Sequence, residues 1–185
     1  MERLTDNYYI DCVRAGKTEC FAPLLERYGK QVFSLVAKII GNREDAEEVT
    51  QDVFVKAYRS LTSFRGDSSF STWLYRIAYN MSVSATRRQV IPHTVLDEEI
   101  TSSIVDDDEP DAFSEDVRLE YLEQALTQLS PDDRAMILMH YKEDRPMAEI
   151  AVITGLTETN VKTRIFRIRK KLYDLITKKE KDRDG

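Results

Sequence analysis

Between Arg88 and Arg118 the chain has no Lys or Arg, and the stretch LDEEITSSIVDDDEPDAFSED (Leu96–Asp116) holds ten acidic residues. A run of like charge repels itself. This one has no sustained apolar period and is interrupted by Pro92 and Pro110. It cannot bury enough surface to offset the entropy of ordering, so it reads as a flexible acidic linker between two folded parts. The competing reading, a long loop inside one domain, is disfavoured because structureless loops of that length are uncommon in compact domains. The 185-residue chain therefore divides into 1–92, a linker at 93–116, and 117–185. Much of the formal net charge of −6 sits in the linker, so the folded parts need not share it.

Both folded parts read as helical, with no alternation of period two. Phe21, Leu24, Leu25, Tyr28, Val32, Leu35, Val36 and Ile39 recur at helical spacing until Gly41 stops them. Asn42 then offers an N-cap with Asp45 three residues on, and Ala46, Val49, Val53, Ala57 and Leu61 share one face of the next helix. The segment TSFRGDSSF is a loop broken at Gly66; a helix beginning near Ser71 is expected to bury Trp73, Ile77, Met81 and Ala85. Beyond the linker, Leu119, Leu122, Leu126 and Leu129 form another apolar stripe. Ser130 and Pro131 then open a helix running to about Tyr141. Pro146 starts a short helix carrying Ile150 and Ile153, which Gly155 closes. The fold class is all-α: two small helical domains joined by the acidic tether.

Several function classes are excluded. The hydrophobic fraction of 42% supports a packed core, and the longest apolar runs, such as SLVAKII, are too short to span a bilayer. The start MERLTDNYYIDC lacks the basic-then-apolar pattern of a secretory signal. Cys12 and Cys20 are too few for a disulfide scaffold, and no Cys/His group has zinc-site spacing. A soluble protein of the reducing cytoplasm, without metal or cofactor, is expected. There is no Gly-rich phosphate loop, HExxH or GxSxG; His93 and His140 stand alone, and the acidic pairs lie on faces expected to be exposed. No small-molecule substrate or catalytic residue is implied.

Against that acidic background, Leu156 to Leu172 carries six Lys or Arg and a single Glu. A short helix, a turn at Gly155 and a second helix capped by Thr157 have the layout of a helix-turn-helix. Unrolled at about 100° per residue, Val161, Ile165, Ile168 and Leu172 form the core stripe. Thr159, Thr163, Phe166, Arg167 and Lys170 point the other way, with Lys162, Arg164, Arg169 and Lys171 on the flanks. Such a helix suits a major groove, where its polar face meets base edges, basic residues meet phosphates, and Phe166 can contact a thymine methyl. The plain alternative is a solvated basic face on an amphipathic helix.

The segments DAEEVTQDVFVKAY and FRGDSSFSTWLYRIAYN resemble region 2 of the extracytoplasmic-function (ECF) sigma factors of the sigma-70 family. LSPDDRAMILMHYKEDRPMAEIAVITGLTETNVKTRIFRIRKKL resembles their region 4, departing from the usual pattern at Pro146. The resemblance implies a transcription initiation factor that binds core RNA polymerase and directs it to promoters, recognising −10 and −35 elements and assisting melting. It implies docking of Asp45, Glu48, Gln51 and Asp52 on the β′ clamp helices, with the β flap as a further contact. An exposed acidic stripe can complement a basic coiled coil.

For the −10 element the resemblance implies the loop SFRGDSSF, with Phe64, Arg65, Asp67, Ser68 and Ser69 around an extruded base. The next helix would add Tyr75, Tyr79 and Asn80 for single-stranded DNA, with Arg87 and Arg88 at its end and Thr86 exposed beside them. Asn80 is expected to face back and complete the base pocket. Trp73 is read as core rather than as a base contact. For the −35 element the implied residues are Thr159, Asn160, Lys162, Thr163, Arg164, Phe166, Arg167 and Lys170. An anti-sigma partner, often membrane-bound in such families, is implied as well. Two rivals are a helix-turn-helix regulator binding duplex DNA without polymerase, and a helical adaptor acting through the acidic stripe.

Overall fold

The computed structural model describes residues 4–89 and 115–184, and every regular element in them is helical. The acidic linker lies almost wholly outside the described residues. In the N-terminal half, α1 spans Asp6–Arg14, a 3₁₀ turn Thr18–Phe21, α2 Ala22–Ile40 and α3 Arg43–Ser60. A second 3₁₀ turn, Leu61–Ser63, leads through the loop to α4 at Phe70–Gln89. The C-terminal half contains α5 (Glu115–Thr127), α6 (Pro131–Tyr141), α7 (Met147–Thr154) and α8 (Glu158–Asp184).

The boundaries follow local chemistry. Gly41 takes a left-handed φ of 83°, which a glycine adopts freely, and its N–H reaches the Ala37 carbonyl at 2.9 Å. The Asn42 side chain then accepts from the Glu44 and Asp45 N–H groups, satisfying donors that the start of α3 leaves open. Ser130 caps α6 through the Asp133 N–H, with Pro131 at the first helical position. Arg134, one turn into α6, donates to the carbonyls of Leu126, Thr127 and Leu129 and so closes the end of α5. Pro146 precedes α7, and Thr157 accepts from the Asn160 N–H at the start of α8. These capping expectations hold.

In the N-terminal half α2, α3 and α4 pack mutually around Leu24, Val32, Val36, Ala46, Val53, Ala57, Leu74 and Ala78, all fully buried. In the C-terminal half Met136, Met139, Ile150, Ile153, Val161 and Ile165 fill the space among α6, α7 and α8. The two halves also touch, with α2 and α4 packed on α6 and α7. The buried residues form one continuous cluster rather than two isolated cores.

That packing changes the reading of α4. Trp73, Ile77, Met81 and Ala85 are only half-buried, while Leu74, Tyr75, Ala78, Tyr79, Ser82, Val83 and Thr86 are buried. The helix is covered on two sides, so its deepest stripe is not the one periodicity selects. Leu25, assigned to the core of α2, is 46% exposed.

Helix α1 was not anticipated. Thr5 caps it by accepting from the Tyr8 N–H, Ile10 is buried, and Asp6 pairs with Arg27 and accepts from the Tyr28 hydroxyl at 2.5 Å. Burial, then the hydrogen bond to Asp6, pushes the Tyr28 phenol up to about 12. Cys12 of α1 and Cys20 of the following 3₁₀ turn are joined as a disulfide, their Cα atoms 5.9 Å apart.

Candidate functional site

Helix α3 presents Glu48, Gln51 and Asp52 to solvent, whereas Asp45, expected with them, is half-buried near the capped start of the helix. Beside this stripe lies a cleft of ≈ 720 Å³ bounded by Phe21, Leu25, Gly29, Thr50, Gln51, Phe54, Val55, Tyr58 and Arg59. Leu25, Val55 and Tyr58 are 46%, 45% and 38% exposed, and Phe21 packs edge-on against Tyr58 at 5.3 Å. The Thr50 hydroxyl is buried in the wall without a hydrogen-bond partner. A carboxylate stripe bordering an open apolar cleft has the anatomy of a protein-docking surface, with a hydrophobic centre and a charged rim. Sequence reasoning found the rim and missed the centre. The signal was there in Val55 and Tyr58, apolar residues off the core stripe of α3.

The loop between Leu61 and Phe70 divides its expected base-reading residues into two groups. Phe64 is buried, its ring 5.2 Å from Trp73 and 6.0 Å from Phe70, so it supports the fold and offers no open stacking face. Ser69 caps α4: its hydroxyl accepts from the Thr72 N–H at 3.0 Å and lies 2.8 Å from the Thr72 hydroxyl. Arg65 and Asp67 are exposed and Ser68 half-buried around Gly66, whose φ of 80° is left-handed. The base of the loop is held by Arg14 of α1, which donates to the Leu61 and Phe64 carbonyls. Asn80 is exposed, but it lies three turns along α4, roughly 15 Å by helical rise, and borders a different, polar cleft with Arg87, Asp132, Thr154 and Arg164. It does not close a pocket with Asp67–Ser69.

The aromatic row of α4 is covered, contrary to expectation. Tyr75 is fully buried, its hydroxyl donating to Glu143 at 3.0 Å and its ring lying 3.6 Å beneath the Arg145 guanidinium. Arg145 also donates to Ser71 at 2.7 Å and to Glu149 at 2.9 Å, while its buried Nε has no partner. Tyr79 donates to Asp132 at 2.6 Å, and Arg87 pairs with the same carboxylate at 3.1 Å. Thr86 is buried and bonded to the Val83 carbonyl, while Arg88 is exposed. Burial raises the Tyr75 phenol to about 12; burial, followed by Asp132, drives Tyr79 up as well. The reason for the missed burial is long-range: these partners come from α6 and the α6–α7 turn, beyond the linker.

Helix α8 behaves as its periodicity requires. Val161, Ile165, Ile168 and Leu172 are buried, and Thr159, Asn160, Lys162, Thr163, Phe166, Arg167 and Lys170 are exposed. Phe166 is 47% exposed, a large apolar side chain amid cations. Arg164 is the exception, bonded to Asp133 of α6 at 2.6 Å. Burial opposes its charge, but the Asp133 bond and the neighbouring Asp132 outweigh this and raise its pKa. In this conformation it ties α8 to α6. Among the described residues no group of His, Cys, Asp and Glu could hold a metal ion, and no helix is long and apolar enough to cross a membrane.

Residues 24–90 match the Sigma-70 region 2 family and residues 119–172 match Sigma-70, region 4. ECF RNA polymerase sigma factor SigW of Bacillus subtilis is 33% identical over 180 residues, covering 88% of this chain and 94% of that protein. The ECF RNA polymerase sigma-E factor of Escherichia coli K12 is 34% identical, covering 91% and 92% of the two chains. Among solved structures, CnrH in complex with the cytosolic domain of CnrY aligns with a TM-score of 0.68 at 25% identity, covering 93% and 97%. RpoE in complex with the anti-sigma factor NepR from Bartonella quintana shares the fold, with a TM-score of 0.63 at 22% identity, covering 85% and 96%. The chain belongs to the ECF sigma factors of the sigma-70 family. It is an RNA polymerase-binding transcription initiation factor, not an enzyme.

Proposed function

We propose that the chain acts in the bacterial cytoplasm, docks on core RNA polymerase through α3, and reads a −35 element with α8 and a −10 element with the loop before α4. The observation that carries this is the outward row of α8. Lys162, Thr163, Phe166, Arg167 and Lys170 stand clear of the core on the second helix of a helix-turn-helix. The apolar cleft beside Glu48, Gln51 and Asp52 supplies an area that a partner coiled coil can bury, with the carboxylates at its rim. In the loop, Arg65, Asp67 and Ser68 are left to meet DNA once Phe64 and Ser69 are assigned to the fold.

Tyr75, Tyr79 and Arg87 contact −10 DNA only after α6 and α7 have left α4. The free chain is therefore a poor promoter binder, and core polymerase restores specificity by separating the two regions. The acidic linker adds to this by competing with phosphates for basic residues. An anti-sigma partner is expected too, as CnrH was solved with CnrY and RpoE with NepR. Electrophoretic mobility shift with and without core polymerase, followed by open-complex formation on promoters varied at each −10 base, tests the reading. Holoenzyme-dependent binding is expected, with exchange of Asp67 and Ser68 altering the favoured −10 base. Tight sequence-specific binding by the free chain, equal to that of holoenzyme, would overturn it.

A further inference from the structure

Helix α1 and the 3₁₀ turn after it connect the two surfaces described above. Arg14, in the last turn of α1, holds the Leu61 and Phe64 carbonyls at the base of the −10 loop. Phe21, in the 3₁₀ turn, packs on Phe54 and Tyr58 and forms one end of the docking cleft. Cys12 lies two residues before Arg14, and Cys20 immediately precedes Phe21. The two cysteines, half-buried and bonded to each other, are the only ones in the chain.

Their Cα separation of 5.9 Å lies within the range that disulfides span. Besides the bridge, the connecting turn has Gly16 at φ 92° and only two backbone bonds, the Lys17 N–H to the Cys12 carbonyl at 3.2 Å and the Cys20 N–H to the Lys17 carbonyl at 3.1 Å. At its other end α1 is anchored by Asp6 to Arg27 and Tyr28, so opening the bridge loosens the last turn of the helix rather than releasing the whole of it. A protein working beside RNA polymerase occupies a reducing compartment, where protein disulfides are characteristically transient and sensory.

We propose that Cys12 and Cys20 form a reversible dithiol–disulfide modification site, oxidised by a peroxide, that sets the order of the −10 loop through Arg14 and of the docking cleft through Phe21. One thiolate attacks an oxygen of hydrogen peroxide. The S–O bond forms, the O–O bond breaks, and the departing hydroxide takes a proton to become water. The second thiolate attacks the resulting sulfenic acid, so the S–S bond forms and a second hydroxide leaves as water after protonation. Two thiols give up two electrons and two protons, and one peroxide is reduced to two waters. A dithiol reductant reverses the change. The oxidised state holds Arg14 and Phe21 where the structure places them; the reduced state frees both.

The test uses the full chain, reduced with dithiothreitol or treated with hydrogen peroxide, with thiols counted by alkylation and intact mass. Two alkyl groups are expected on the reduced chain and none on the peroxide-treated one, with dithiothreitol restoring both. Amide hydrogen exchange across the 3₁₀ turn Thr18–Phe21 and residues 61–69 is expected to be several-fold slower in the oxidised chain. The Cys12→Ser/Cys20→Ser variant should match the reduced chain and ignore peroxide, and Cys12→Ser alone serves if the double variant loses helix content. Thiols that both remain alkylatable after peroxide overturn the site. A disulfide that leaves exchange at 61–69 unchanged overturns the coupling. These arms do not depend on promoter recognition. The functional arm, which rests on the proposed function, is faster open-complex formation by holoenzyme made with the oxidised chain; equal rates in the two redox states overturn control of initiation.

Discussion

The two helices proposed to read DNA, α4 and α8, are in opposite states. The polar face of α8 stands open, with Lys162, Phe166, Arg167 and Lys170 exposed, while the aromatic row of α4 is covered by α6 and α7. The contrast does not come from the sequences of the two faces alone. Both carry aromatic and basic residues at helical spacing, and both lie on helices with one well-packed apolar side. It comes from what the other half of the chain contributes: Asp132, Glu143 and Arg145 meet Tyr79, Tyr75 and Ser71, and nothing among the described residues covers Arg167 or Lys170 in the same way. Exposure of the α8 polar face is a property of region 4 itself, and burial of the α4 tyrosines is a property of the pair of regions. Breaking the pair should change one and leave the other alone.

Arg145→Ala should break the comparison most strongly. The side chain is 10% exposed, stacks on Tyr75, and holds both Ser71 and Glu149. Glu149 is 39% exposed, so the loss comes chiefly from the stack on Tyr75 and the bond to Ser71, together about 1–3 kcal/mol. The expected result is a larger radius by small-angle scattering and tighter binding of single-stranded −10 DNA by the free chain, with unchanged helix content. Unaltered single-strand binding in a demonstrably opened chain would mean that Tyr75 and Tyr79 are not DNA contacts.

Local and long-range features account for what the sequence could and could not reveal. Asn42, Ser130, Gly155 and Thr157 act on N–H or carbonyl groups within a turn of themselves, so their roles were readable from spacing. The α8 stripe was readable for the same reason. Tyr75 and Tyr79 were misplaced because their partners lie 68 and 53 residues away across the linker. Phe64 looks like a recognition residue in a loop, yet an aromatic cluster buries it, while Ser69 stays exposed and also caps the start of α4. The apolar cleft escapes periodicity because Leu25 falls on the apolar stripe of α2 and Val55 stands on the acidic side of α3, three residues beyond Asp52. The cysteine pairing was missed because α1, a helix of only 9 residues, was not recognised.

Arg167→Ala should weaken −35 binding by holoenzyme by about 1–3 kcal/mol, with relaxed preference at one base position. The same loss is expected in the Arg145→Ala background, since α8 is already open. A loss that appears only in the opened chain would show that α8 too is masked. Reversing Glu48 and Asp52 to Lys should leave the interface between the halves untouched, because both lie on the far rim of α3. Slower association with core polymerase and an altered salt dependence are expected in surface-binding kinetics. Normal assembly with lost DNA binding would assign the stripe to the wrong partner.

Alkali provides a gentler way to separate the halves. The Tyr75 phenol is raised to about 12 by burial in the closed state, against an ordinary value of about 10. The sign follows: a raised phenol favours its neutral form, so this contribution to closure is complete below the ordinary value and is lost as pH rises through the folded one. Ultraviolet titration should show a late-ionising tyrosine in the free chain that shifts down in Arg145→Ala if the halves part and burial is relieved, whereas loss of the Arg145 charge from a closed chain would raise it. Tyr79 moves in the same direction, and Tyr28, raised by burial and then by Asp6 in the N-terminal half, should not follow. A simultaneous shift of Tyr28 would indicate general loosening rather than separation of the halves.

The smallest expected effect is also the most discriminating between a face that is open and one that is merely basic. Lys170 lies on α8 in line with Phe166 and Arg167 but further from the helix start, which is the end that meets base edges in a helix-turn-helix. A lysine in that position meets phosphate as a point charge and carries no base information. Lys170→Ala should therefore weaken cognate and non-cognate duplexes alike. It should also reduce the slope of log affinity against log salt by about one, the contribution of a single neutralised phosphate. Because the residue is exposed with the halves together, the change in slope should be the same for holoenzyme made from the otherwise unaltered chain and from Arg145→Ala. Fluorescence anisotropy over a salt series on both holoenzymes reads this directly. A slope change confined to the opened background would place Lys170 under the same mask as Tyr79 and remove the difference between the two helices.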